Sequence, residues 1–143
     1  VQLEIGTYTA TTTPAFPFES FGDNLARCQR YYQKYLNDSG ATTEGFWGTG
    51  NCDSGTSFVG SFVFTTPMRA KPGAFEQTGT ATDYRVQIKG NSAVVCSSVP
   101  TVSGMTSWAA RLVFTTSSGL TAGEAGIYRS STTDAYVAWS AEL

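Results

Sequence analysis

The sequence predicts an all-β domain, an antiparallel β-sandwich with one short helix near its N-terminal side. Three observations predict it. Charged residues make up only 14% of the 143, against roughly 25% in an average soluble domain; Ser, Thr and Gly, which favour strands and turns, fill the gap. Several segments alternate apolar and polar residues with a period of two, the mark of a half-buried strand. Turn clusters recur every ~8–12 residues, as in a sandwich or barrel of short strands.

Taken in order, residues 1–9 alternate Val1, Leu3 and Ile5 with Gln2, Glu4 and Gly6, and predict a strand with one buried face. Pro14 and Pro17 make residues 11–18 an extended connector, pinned to a neighbouring surface by Phe16, Phe18 and Phe21. Leu25, Cys28, Tyr32, Tyr35 and Leu36 recur at helical spacing and predict one helix with that face buried. Asp23 or Asn24 caps it, Arg27, Arg30, Gln33 and Lys34 face outward, and residues 37–40 end it with Gly40 in a left-handed turn. Glycine-rich residues 45–48 and 50–55 predict loops. Strands are predicted at 57–66, 81–89, 93–97, 108–116, 126–129 and 135–142, with 93–97 a buried run, a turn at 90–91, and Trp108 and Trp139 in the core. FVFTT at 62–66 and LVFTT at 112–116 echo each other, as paired strands of one sheet do; chance produces such an echo too.

The inventory excludes several chemistries. There is no histidine, which removes His-containing triads, His acid–base catalysis and the common zinc sites. Cys28, Cys52 and Cys96 form no C-x-x-C pair; the expectation is buried free thiols from a reducing compartment, not a disulfide framework. Neither a Walker loop nor G-x-G-x-x-G is present, and no cofactor is expected. A net charge of −2 gives no electrostatic footprint for nucleic acid or an anionic membrane. No apolar run approaches the ~20 residues of a membrane span. Residues 50–55 offer oxygen ligands but too few carboxylates and no EF-hand spacing, so no metal is expected. The chain opens at Val1 without Met or a signal-peptide pattern, and reads as a fragment or a processed product.

Candidate site residues come from the glycine-rich stretch. Phe46 and Trp47 are adjacent aromatics between glycines, outside any periodic pattern, with Asn51 and Asp53 nearby. Aromatic faces with amides and carboxylates form the composition of a sugar site; packing at a loop or interface is the alternative for Trp47. The segment Arg27-Cys28-Gln29-Arg30-Tyr31-Tyr32 reads as structural. Arg69, after Pro67 and Met68, reads as an ion pair across a subunit interface. Eleven acidic residues are present, but no pair stands in the apolar setting that a glycosidase needs. No catalytic residue is assigned, and the expectation is a protein that is not an enzyme.

Gln2-Leu3-Glu4-Ile5-Gly6, then Pro17-Phe18-Glu19, then Leu25-Ala26-Arg27-Cys28-Gln29-Arg30-Tyr31-Tyr32 resembles the C-terminal domain of tailed-bacteriophage fibre and related virion proteins. VFTTPMR at 63–69, followed by Ala70 and Pro72, resembles the family's F-V-P-M-R-A-x-P strand end, and Ala138-Trp139-Ser140-Ala141-Glu142-Leu143 resembles its A-x-AEL terminus. Two features depart from the pattern: the Thr-rich connector is longer, and residues 43–55 match nothing in it. The resemblance implies a jelly-roll-like, trimeric sandwich over residues 21–143, with 1–20 a closing strand and linker from a preceding domain. It implies a fibre-tip protein on the virion surface, assembled in the host cytoplasm beside other virion proteins, that attaches to the host through a surface glycan. The alternatives are a purely structural capsid-decoration or fibre-trimerisation module, and a polysaccharide depolymerase.

Overall fold

The structure, a computed structural model, describes residues 19–37, 45–89 and 92–141. The predicted strand at 1–9, the connector at 11–18 with Phe16 and Phe18, Gly40, the turn at 90–91 and Glu142-Leu143 lie outside the described residues.

The element order is α1 (Phe21–Gln29), β1 (Tyr32–Leu36), β2 (Phe46–Cys52), β3 (Ser57–Val63), β4 (Ala74–Gln77), β5 (Tyr84–Ile88), β6 (Ser92–Val95), β7 (Thr101–Met105), β8 (Ala109–Thr115), β9 (Ala125–Ser130) and β10 (Tyr136–Ser140), with a 3-10 turn at Ala81–Asp83. Every strand pairing is antiparallel. A three-stranded sheet, β1-β10-β4, faces a seven-stranded sheet, β6-β5-β9-β2-β3-β8-β7. The all-β expectation holds at that level.

The two sheets meet around Trp139 of β10, which is fully buried. Its ring lies 4.5 Å from that of Phe62, 5.3 Å from Phe64 and 5.4 Å from Phe75, centroid to centroid. A second aromatic group joins Phe58, Phe114 and Tyr128, with Phe114 stacked 5.0 Å from Tyr128. Strict alternation supplies these side chains: β8 turns Ala110, Leu112 and Phe114 inward and Arg111 outward, and β5 buries Tyr84 and Val86. The two echoing segments overlap neighbouring strands, since β3 pairs with β8 from Ser57↔Thr115 to Val63↔Ala109.

The helix differs most from expectation. Its cap is Ser20, whose Oγ accepts the Asp23 N–H at 3.2 Å, and it ends at Gln29. Residues 32–36 form β1 instead, paired along β10 from Tyr32↔Ser140 to Leu36↔Tyr136. Leu25, Cys28, Tyr32 and Phe21 are exposed, not buried; Arg27 and Lys34 are exposed as expected. The helical spacing joined apolar positions of two different elements. In β1 the inward residues are Gln33 and Tyr35, so a polar side chain sits where an apolar one would have revealed the strand.

Gln33 is buried and fully engaged. Its Nε2 donates to the Gln29 carbonyl at 3.0 Å and the Thr66 carbonyl at 2.5 Å. Its Oε1 accepts from Tyr35 Oη at 2.9 Å and the Thr65 N–H at 3.2 Å. One side chain thus ties the end of α1 to the segment after β3, satisfying groups that would be costly to bury unpaired.

Other corrections are smaller. Residues 46–52 form a strand, not a loop. β4 and β7 were not expected. Most of β6 is exposed, and only the following Cys96 is buried. Trp108 is an exposed residue of the β7–β8 turn, not core. All three cysteines are free thiols; Cys52 and Cys96 are buried, whereas Cys28 is exposed.

Candidate functional site

β2 lies between β9 and β3. It pairs with β9 from Phe46↔Arg129 to Asn51↔Ala125, but with β3 only at Gly50↔Gly60, Asn51↔Val59 and Cys52↔Phe58. Toward its first residue β2 therefore parts from β3. A groove of about 790 Å³ opens there, lined by Lys34, Tyr35, Leu36 and Asn37, by Phe46 and Trp47 of β2, by Ser61, Phe62, Val63 and Thr65, and by Tyr128.

Two glycines make room for the Tyr128 ring. A Cβ on Gly48 would stand 2.7 Å from Tyr128 Cζ, and one on Gly60 would stand 2.6 Å from its Cδ1. With that space free, Tyr128 Oη donates to the Ser61 carbonyl at 2.9 Å. This bond satisfies a β3 acceptor beyond the last β2–β3 pair. Burial pushes the Tyr128 hydroxyl up to about 12, so it stays protonated and able to donate.

The β2–β9 register slips between Phe46 and Gly48. Trp47 is the extra residue of this bulge, a device that re-aims a side chain. Its ring packs 5.8 Å from that of Tyr84 and is half-buried. Its Nε1 is buried and meets no acceptor among the described residues. Phe46, by contrast, is 64% exposed. Across the groove Val63 is 72% exposed, and Leu36 is also exposed.

The groove's electrostatics are simple. Lys34 is the one charged residue lining it among the described residues, and its Nζ sits 3.9 Å above the Tyr136 ring, a cation–π contact. No carboxylate among the described residues lines it. Asn37, expected to end a helix, instead follows β1 and is buried, with Nδ2 donating to the Thr132 carbonyl at 2.8 Å. The lining suits stacking and hydrogen bonding of a neutral, partly apolar ligand.

Of the sequence-predicted residues, Phe46 and Trp47 line this groove. Asn51 and Asp53 do not: both are exposed at the far end of β2 and in the turn after it, with Asn51 roughly 16 Å along the strand from Phe46 at ~3.3 Å per residue. The sequence reading missed Leu36, Tyr35, Val63 and Thr65. The outward apolar residue of β1, Leu36, was absorbed into the supposed helix. Among the described residues no group of three or more His, Cys, Asp or Glu side chains is placed to hold a metal ion, and no helix is long and apolar enough to cross a membrane. Comparison of the chain with family models, with curated proteins and with solved structures finds no match.

Proposed function

We propose that this chain is a bacteriophage virion surface domain, carried at a fibre tip, that mediates host attachment by binding a surface glycan in the groove beside Phe46. The glycan part rests on one observation: the exposed Phe46 ring stands at the rim of an aromatic groove whose one charged lining residue among the described residues is Lys34. The apolar face of a sugar ring stacks on such an aromatic, while Lys34, Ser61 and Thr65 address its hydroxyls. No bond is made or broken, and the two-carboxylate arrangement of a depolymerase is not found in the groove among the described residues. The virion part rests on the resemblance of the CQRYY and PMRA blocks. With it come the homotrimer, the jelly-roll-like topology and the companion virion proteins.

A second reading, a structural decoration or trimerisation module, draws on the same patch. Val63, Leu36 and Phe46 are exposed apolar side chains on one groove, and a subunit contact would cover them. Glycan-array binding by the isolated chain separates the two. Retention of host-surface glycans that also block particle adsorption supports attachment. An array without signal, together with light scattering in which Val63→Asp turns a trimer into a monomer, supports the structural module.

A further inference from the structure

A second concave site lies on the other side of β1 in sequence. Arg27, Arg30, Tyr31 and Arg69 line a cleft of about 290 Å³. Three of the chain's nine cationic residues thus converge in a protein of net charge −2. Arg27 is paired with Glu19. Arg30 and Arg69 have no carboxylate partner among the described residues. The Arg69 guanidinium lies 5.5 Å from the centre of the Tyr31 ring, and the Tyr31 hydroxyl makes no hydrogen bond among the described residues.

The cluster is held by backbone rather than by chance side-chain placement. The Arg69 N–H donates to the Arg30 carbonyl at 2.7 Å, and the Met68 N–H donates to the Ser107 carbonyl at 2.8 Å. Met68 is buried beside Arg69 and anchors this turn. Arg27 and Arg30 are suited to the C-terminal end of a helix, but that does not explain Arg69, which arrives from the segment after β3. Arg30 and Arg69 are brought together without a carboxylate counter-charge among the described residues, and like charges so placed repel. Guanidinium forks match the geometry of phosphate and sulfate oxygens.

We propose that Arg27, Arg30, Tyr31 and Arg69 form a binding site for an oxyanion, a phosphate or sulfate group, at the junction of α1 with the turn after β3. Arg30 and Arg69 supply the forks, and the Tyr31 hydroxyl supplies a further donor. The site is separate from the groove and does not depend on its ligand. The Ala141 N–H donates to the Tyr31 carbonyl at 2.7 Å, a further backbone tie at this junction.

The test is binding of fluorescent dextran sulfate to the intact chain at fixed salt, with uncharged dextran of equal length as the control. The wild type retains dextran sulfate and not dextran. Arg30→Gln and Arg69→Gln each weaken binding about tenfold, the loss of one charged hydrogen-bonding group. Arg69→Lys falls between, because it keeps the charge and loses the fork. Arg111→Gln, an exposed arginine outside the cleft, changes binding less than about twofold, the size of surface effects. Displacement by millimolar inorganic phosphate shows that the free ion suffices; failure to displace shows that groups held along a polymer are required. The proposal is overturned if the wild type does not bind, or if Arg111→Gln loses as much as Arg69→Gln.

Discussion

Tyr128 donates its hydroxyl to the Ser61 carbonyl at 2.9 Å, where β2 has parted from β3. The groove and the bond have the same origin: two strands stop pairing, and a tyrosine from β9 reaches the acceptor left behind. Tyr128→Phe keeps the ring and removes only this donor; Ser61 is exposed and water can take its place, so the cost should be that of one hydrogen bond, about 0.5–1.5 kcal/mol. Gly60→Ala forces a methyl into the ring and should cost about 1–3 kcal/mol by overpacking. Combined with Tyr128→Ala, the Gly60→Ala cost should largely vanish, since residues in contact couple. Urea unfolding of the single and double variants checks both values.

The fate of the supposed helix supplies a second prediction. Leu25 is 44% exposed, so Leu25→Ala should move stability by no more than about 0.5 kcal/mol. Gln33→Ala strips the Thr66 carbonyl of its side-chain donor and leaves the Thr65 N–H only the longer bond to Tyr35 Oη at 3.4 Å, and should cost about 1–3 kcal/mol. Equal effects in chemical denaturation would contradict the placement of residues 32–36 as a strand.

Thiol titration gives a third. In the native protein near pH 8 only the exposed Cys28 should react quickly, with Cys52 and Cys96 appearing on unfolding. Three fast thiols would contradict the burial.

Alkaline pH gives a fourth. Burial raises the Cys96 thiol from 9.0 to about 12 and the Tyr128 hydroxyl from 10.0 to about 12. In both cases the folded state holds its proton more tightly than the unfolded one. Their contribution is therefore intact below about pH 9 and is lost as the pH rises toward 12. Unfolding midpoints measured from pH 8 to 12 should fall across that window, and Cys96→Ala should flatten the fall that begins near pH 9.

Strands whose inward residues are apolar were legible in the sequence: β3, β5, β8 and β10 carry Phe58, Val86, Leu112 and Trp139 inward. β1 was not, because Gln33 occupies an inward position and Leu36 an outward one. β2 was not, because Gly48 and Gly50 resemble a loop. Their reason lies in distant residues: Tyr128 crowds Gly48, and Phe58 and the Gly60 backbone crowd Gly50. Phe46 and Trp47 were legible as candidates because they break the period. Their partners Leu36, Val63 and Thr65 come from strands elsewhere in the chain, and only the fold brings them to one groove.

The most direct test of attachment through the groove is the affinity of Phe46→Ala for the glycan that the wild-type chain selects on an array. The exposed ring contributes little to folding, so the melting temperature should stay within about 2 °C of wild type. Loss of the stacking face should weaken binding about tenfold, roughly 1.4 kcal/mol. Full affinity in Phe46→Ala, with the fold intact, would contradict the account.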